Sequence, residues 1–143
     1  MPGDEGRRLA MHTTNYTDTL ILPAPDTRAE TATVPPSGKG TVAELQYERL
    51  ADTDYTWTSD DLLFDVHCVR KGIPKSDRAA ERERFFGKGQ PCLRTSPLAK
   101  TYGWALHFDA DGRIALLPMD SPRVAELEAD PAVTVRRAMK SSR

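Results

Sequence analysis

Residues 104–117, Trp-Ala-Leu-His-Phe-Asp-Ala-Asp-Gly-Arg-Ile-Ala-Leu-Leu, decide the fold. Residues 104–108 and 113–117 form two apolar runs, and Asp109-Ala-Asp-Gly112 separates them. An Asp-Gly pair between apolar runs is typical of a tight β-hairpin, because glycine readily adopts the positive φ that such a turn requires. The stretch therefore predicts two antiparallel strands joined by a short turn.

Helices are predicted on both sides of this hairpin, and each begins at a recognisable start signal. Thr41 and Glu44 form a capping-box pattern, in which each side chain satisfies a free backbone donor of the first turn. Ser-Pro at 96–97 and at 121–122 places proline at the first helical position, where its missing N–H costs no hydrogen bond. The predicted helices span residues 41–52, 62–71, 76–86, 96–103 and 121–129.

The second of these helices carries two competing patterns. Leu62, Val66 and Val69 recur at helical spacing and would face inward, and Gly72 follows as a typical residue after a last turn. Residues 64–68 also alternate between apolar and polar types, which a strand would produce. We favour a helix, and a strand is the alternative.

The predicted elements together indicate an α+β fold. Residues 16–22 and 133–139 are rich in β-branched or apolar types and predict two more strands, while proline and glycine make residues 23–40 a long loop. We expect a small antiparallel sheet that includes the hairpin, with helices packed on one face. Residues 1–10 are interpreted as a disordered leader and 11–143 as a single domain, with Met11 as a possible start.

Composition excludes several classes of protein. The 143 residues carry a net charge of −1, so no overall basic excess points to nucleic acid or to an acidic membrane surface. No apolar run approaches the length of about 18 residues that a membrane helix needs, and no signal peptide is present, so a cytoplasmic location is expected. Two cysteines are too few for a disulfide scaffold.

Charge is nevertheless unevenly distributed along the chain. Residues 41–65 hold seven acids and one base, whereas residues 70–100 hold nine bases and three acids. Two segments of opposite charge are expected to attract each other across the fold. An anion site built from part of the basic segment is the alternative.

The chemical motifs that would name a cofactor are missing. Two cysteines and three histidines lack the paired spacing of a zinc site, so no metal is predicted. There is no Gly-x-x-x-x-Gly-Lys-Ser/Thr phosphate loop, and no cofactor is predicted. The turn at 109–112 lacks the glycine of a calcium loop at the required position.

Cys92 and His107 are the candidate catalytic residues. Cys92 lies just before a helix start and among bases, and both features lower the pKa of a thiol and raise its reactivity. His107 lies on the hairpin strand, on the opposite side from Trp104, and would act as a general base if a partner were in reach. The alternatives for Cys92 are a small buried cysteine beside a helix cap or a redox-sensing thiol, and the alternative for His107 is a structural hydrogen bond.

The segment 90–100 contains the candidate ligand-binding residues. Arg94 and Lys100 flank the free backbone N–H groups at the helix start marked by Ser96, and a guanidinium beside a helix N-terminus is suited to an anion. Tyr102 and Trp104 follow directly and would line the same pocket. The alternative is that Arg94 and Lys100 pair with the acidic segment.

Several of these stretches occur together in one known family. They are His12-Thr-Thr-Asn-Tyr16, residues 55–61, Phe85-Phe86-x-Lys88-Gly-Gln90, Cys92-Leu-Arg94-x-Ser96-Pro-Leu98-x-Lys100-x-Tyr102-Gly-Trp104 and Ala138-Met139-x-Ser141. With these motifs the chain resembles a bacterial and fungal family catalogued only as a domain of unknown function, from residue 11 to the C-terminus. The resemblance implies no assigned activity.

The leading functional hypothesis is a small-molecule-binding domain for an anionic metabolite, and an enzyme that acts on this metabolite is one form of that hypothesis. Its pocket would be floored by the hairpin and closed by residues 90–100. One alternative is a non-catalytic module that binds an acidic protein or nucleic acid, although no nucleic-acid motif is present. Another alternative is a homodimeric interaction protein. The sequence leaves these classes open, and with them the question of catalysis.

Overall fold

A computed structural model describes residues 12–141 of the chain. None of the helices in this part of the chain is both long enough and apolar enough to cross a membrane. Two 3-10 turns, Lys75–Asp77 and Leu93–Thr95, accompany the regular elements. In chain order the helices and strands are β1 Thr19–Leu22, α1 Val42–Leu50, α2 Ser59–Lys71, α3 Arg78–Phe86, α4 Pro97–Lys100, β2 Trp104–Phe108, β3 Ile114–Pro118, α5 Pro122–Ala129 and β4 Thr134–Arg137.

The four strands form one sheet in the order β3-β2-β1-β4. Strand β2 is antiparallel to both of its neighbours, and the hairpin register pairs Leu106 with Leu116. The predicted α+β fold and hairpin are confirmed. The sheet is mixed rather than purely antiparallel, because β4 runs parallel to β1. The chain reaches β4 from β3 through helix α5, and a helical crossover returns a chain in the same direction.

Both faces of the sheet are covered by helices, which corrects the prediction of helices on one face. Ile21, Leu106 and Phe108 face the main core together with buried residues of α1, α2 and α4. Alternation along the strands turns Leu20, Leu22 and Ala105 to the other face, where Val124 and Leu127 of α5 cover them. The crossover that makes the sheet mixed thus also supplies the helix on its second face.

Helix α2 is buried on two sides, which explains its two sequence patterns. Leu62 and Val66 pack into the main core, and Phe64 and Cys68 pack against Phe86 of α3. The alternation of apolar and polar residues in this segment therefore arises because the helix packs against the main core on one side and against α3 on another. The predicted helix and its Gly72 terminus are confirmed, with φ +66° at that glycine. Val69, expected inside, is 44% exposed.

The start of helix α1 differs from a reciprocal capping box. The Thr41 hydroxyl accepts a hydrogen bond from the Glu44 N–H, as predicted. The Glu44 carboxylate instead accepts the backbone N–H groups of Gly38, Lys39 and Gly40. These bonds, led by that of Gly38, lower the pKa of the Glu44 carboxyl against the opposing effect of burial. The side chain therefore ties the long loop to the helix.

Several predicted boundaries shift by a few residues. The strand predicted over 16–22 begins at Thr19, and the one predicted over 133–139 spans only Thr134–Arg137. The helix predicted over 76–86 begins as a 3-10 turn, and the one over 96–103 ends at Lys100. The leader predicted over 1–10, and the possible start at Met11, lie outside the described residues.

The long loop 23–40 is fastened to the beginning of β2. The Thr33 N–H donates to the Tyr102 carbonyl over 2.8 Å, and the Trp104 indole donates to the Thr33 carbonyl over 2.8 Å. Between them lies Gly103, with φ +79°, where an added Cβ would lie 2.5 Å from the carbonyl oxygen of Thr31. Glycine is required at this position for both conformation and space.

We predict that Gly103→Ala destabilises the protein more than Gly38→Ala. Both glycines have φ near +80°, so both substitutions carry the cost of about 1–2 kcal/mol for a left-handed alanine. Only at Gly103 must the loop also move, which adds about 1–3 kcal/mol, since Gly38 has open space around it. Urea unfolding of both variants measures the difference, and equal losses would refute the close contact.

Candidate functional site

A cavity of about 370 Å³ lies along one side of helix α2. Leu63, Val66, His67 and Arg70 are spaced i, i+3, i+4 and i+7, so one stripe of the helix faces the cavity, and Lys71 extends it. This volume is within the range of small-ligand sites. The site is therefore built on a helix whose other sides are fixed by the core and by α3.

The remaining walls come from helix α1 and from residues 90–97. Gln46 of α1 and Ser96 are both 2% exposed, and the Ser96 hydroxyl donates to the Gln46 side-chain oxygen over 2.6 Å. The same hydroxyl accepts the Leu98 N–H, so Ser96 caps α4 as the sequence predicts. Apolar side chains make up much of the lining: Val42, Leu63, Val66, Phe85, Pro91 and Pro97.

His67 is held in a fixed orientation beside this cavity. Its Nε2 lies 2.7 Å from a carboxylate oxygen of Glu81, and Arg84 donates twice to the other oxygen. The hydrogen bonds from His67 and then Arg84 lower the pKa of the Glu81 carboxyl. The imidazole ring also packs on Phe85, with 4.6 Å between ring centroids. Geometry and charge thus make Glu81 a fixed acceptor for His67.

A second cavity, of about 560 Å³, adjoins the first. His67, Phe85 and Gln90 line both cavities, so the two form one groove with these residues at the junction. The charged residues that border the second part are Glu81, Arg84 and Lys88. We call the two cavities together the α2 groove.

Cys92 lies away from the groove, in a small polar cluster. The Tyr16 hydroxyl donates to the Cys92 sulfur over 3.1 Å, and the Arg136 guanidinium lies 5.8 Å from the centre of the Tyr16 ring. Burial, followed by the hydrogen bond to Cys92, raises the pKa of Tyr16. Tyr16 packs on Phe108, which places Cys92 on the main-core face of the sheet.

His107 points to the opposite face of the sheet. Its Nδ1 lies 2.7 Å from the Tyr55 hydroxyl, and the side chain is 7% exposed. Burial and then the charge of Arg123 lower its pKa, while burial raises the pKa of Tyr55. The lowered pKa favours the neutral imidazole, whose Nδ1 shares this hydrogen bond with the Tyr55 hydroxyl. The structure does not bring His107 together with Cys92, and no residue of the hairpin lines the α2 groove.

The two predicted anion-binding bases also point away from the groove. The Arg94 Nε donates to the Arg137 carbonyl over 2.7 Å and so joins residues 93–95 to strand β4. Lys100 lines a separate cavity of about 280 Å³ with Arg28 and Asp26. The alternative prediction was that Arg94 and Lys100 pair with acids of residues 41–65. Neither of them does so.

Of the remaining predicted residues, only Ser96 lines the groove. Trp104 packs on Tyr47 at 5.5 Å between ring centroids, and its indole bonds the long loop. The Tyr102 carbonyl bonds the same loop. Within residues 12–141, no three His, Cys, Asp or Glu side chains are grouped so as to hold a metal ion.

The comparisons with known proteins identify a family but no activity. A model described as "Family of unknown function (DUF6157)" matches residues 11–143. The chain belongs to this family. No curated protein and no solved structure matches it significantly.

Sequence reasoning missed the residues that this DUF6157 domain places along its groove. Leu63, His67 and Arg70 share a helical stripe, and this periodicity was available once residues 62–71 were assigned to a helix. The partner of His67 is Glu81, which lies fourteen residues away on α3. Only the packing of α3 against α2 reveals that pair.

We predict that iodoacetamide modifies Cys92 but not Cys68 in the folded domain. Cys68 is 1% exposed and burial raises the pKa of its thiol, whereas Cys92 is half-buried. A buried thiol with a raised pKa is unreactive. Intact mass should show one adduct in buffer and two in urea, and Cys92→Ser should show none in buffer. Modification of Cys68 in the folded state would contradict this.

The lowered pKa of His107 predicts a pH dependence of stability. The unfolded chain protonates this residue near its ordinary pKa of 6.5, above its pKa in the folded state. The free energy of unfolding should fall as pH drops from about 6.5 to the folded pKa, and this contribution should be constant outside that window. Urea unfolding from pH 5 to 7.5 should show the slope in the parent protein and lose it in His107→Gln. His12→Gln is the control, and its free energy of unfolding should change with pH as steeply as that of the parent protein.

Proposed function

We propose that the domain binds a small amphipathic anion in the α2 groove. The observation that carries this is an apolar cavity with two bases, Arg70 and Lys71, along one side. Cavities of this size, with apolar walls and few polar groups, are typical of small-ligand sites. The apolar body of the ligand would lie against Leu63, Val66 and Phe85, and its charged group beside the bases.

Three of the four lysine and arginine residues that line the groove are free to serve a ligand, the exception being Arg84, which is paired with Glu81. Arg70, Lys71 and Lys88 make no ion pair within residues 12–141, whereas Arg78 and Arg82 of the same basic segment are paired with Asp65 and Asp61. An unpaired cation beside an apolar cavity attracts an anion and leaves the cavity to bury its apolar part. A carboxylate on an aliphatic or aromatic body fits both features.

The test uses 1-anilinonaphthalene-8-sulfonate, whose fluorescence rises in an apolar site. We expect Leu63→Glu to weaken its binding by tenfold or more, about 1.4 kcal/mol, because an acid then lies in the groove. Val69→Glu is the matched control, since Val69 lies on the same helix but outside the groove and is exposed. Equal effects of the two substitutions would contradict the proposal.

The requirement for an anion is tested by competition. Decanoate should displace the fluorescent probe more strongly than decanol, which has the same chain without the charge. Arg70→Glu should reduce this preference about tenfold through charge repulsion, whereas Lys75→Glu, outside the groove, should not. If decanol competes as well as decanoate, the bases play no part in binding.

A further inference from the structure

The α2 groove has a polar junction between two unlike compartments. One compartment has largely apolar walls, and the other is bordered by Lys88 and by Arg84, which neutralises the Glu81 carboxylate beside it. His67 belongs to both and marks the place where they meet. A ligand that fills the groove therefore has its middle beside His67, with an apolar part on one side and a polar part on the other.

His67 has the arrangement of a general base. The Glu81 carboxylate accepts a hydrogen bond from Nε2, so the uncharged form of the ring carries its proton on Nε2 and an unshared electron pair on Nδ1. Nδ1 has no hydrogen-bond partner among the described residues, and in that part of the chain only the Nε of Arg78 is buried without a partner. Nδ1 is therefore open to solvent or to a ligand.

The carboxylate that orients the ring is itself fixed. Arg84 holds its second oxygen through two donors, and the Phe85 ring packs on the imidazole. A base oriented by a fixed carboxylate is the arrangement that activates a nucleophile in many hydrolytic sites. The hydroxyls at the groove are already engaged, because Ser96 donates to Gln46 and Thr95 donates to the Cys92 carbonyl. Water is the remaining nucleophile.

We propose that His67 is the general base of a hydrolytic site that cleaves an ester or thioester of an apolar acyl group with an anionic alcohol or thiol. This inference rests on the proposed function, since the carboxylate product is the amphipathic anion described there. The acyl chain would occupy the apolar compartment, and the anionic leaving group the compartment bordered by Arg84 and Lys88.

The step balances without any further reactant. His67 Nδ1 takes a proton from water as the water oxygen bonds to the acyl carbon. The carbon–oxygen or carbon–sulfur bond then breaks, and the imidazolium returns its proton to the leaving alkoxide or thiolate. Arg70 and Lys71 follow His67 by three and four residues, one helical turn away, where a cation stabilises the developing oxyanion. The products are a carboxylic acid and an alcohol or thiol.

The test measures turnover of decanoyl-coenzyme A and of 4-nitrophenyl decanoate by chromatography of released decanoate. Decanoyl-coenzyme A carries the anionic leaving group and the nitrophenyl ester does not, so the proposal expects a lower KM for the former. His67→Gln should lower kcat about a hundredfold or more with KM little changed, because general-base catalysis contributes at least that much. His12→Gln, an exposed histidine outside the groove, is the control.

Glu81 is a positioning residue and needs a readout of its own. Glu81→Gln should lower kcat about tenfold or more while KM and the binding of the fluorescent probe stay unchanged. Imidazole in the buffer should restore turnover to His67→Ala but not to Glu81→Gln. If imidazole rescues only His67→Ala, that variant has lost the base and has not lost its structure. Thermal unfolding of both variants monitors their folding independently.

The outcomes distinguish this inference from the proposed function. If the probe binds in the groove and decanoate displaces it, but neither ester is cleaved, the hydrolytic site is refuted and the binding function stands. Turnover that persists in His67→Gln also refutes it. If Leu63→Glu leaves probe binding unchanged, the proposed function fails, whatever the result with esters.

Discussion

The buried hydrogen bond between Gln46 and Ser96 is the contact on which the groove depends. It joins helix α1 to the start of α4 over 2.6 Å, and each residue is 2% exposed. An unpaired polar group in such a place costs about 1–3 kcal/mol, so neither partner is free to turn away. Because both residues also line the cavity, the same bond that ties two helices together fixes the base of the groove. The cavity is thereby preformed.

A second constraint fixes the other wall. Asp65 of α2 lies between Arg49 of α1 and Arg78 of α3, so one carboxylate joins three helices. Burial opposes its ionisation, but hydrogen bonds and charge from the two arginines outweigh it and lower the pKa of Asp65. With Asp61 and Arg82, this is how the oppositely charged segments of the chain meet. These acids thus engage bases on the far side of α2 and leave Arg70 and Lys71 of the groove unpaired.

The parts of the fold that depend on local signals were predictable from sequence. The hairpin follows from Asp-Gly between apolar runs, and the C-terminal end of α2 follows from Gly72. The parallel pairing of β4 with β1 was not predictable, because it depends on where α5 crosses the sheet. The choice of Cys92, Arg94 and His107 as one site assumed a shared face. Alternation along β2 separates His107 from the face where Tyr16 holds Cys92.

The His67–Glu81 pair is hard to explain by stability alone. A partly buried pair of polar side chains gains little over apolar side chains of similar size, because desolvation offsets much of the attraction. Here the surroundings already favour apolar packing, since Phe64, Phe85 and Phe86 form a cluster at the contact of α2 with α3. An apolar residue at position 67 would extend that cluster and close the junction of the groove. A histidine instead keeps a nitrogen open where the two compartments meet, which is the property that a binding or catalytic role requires.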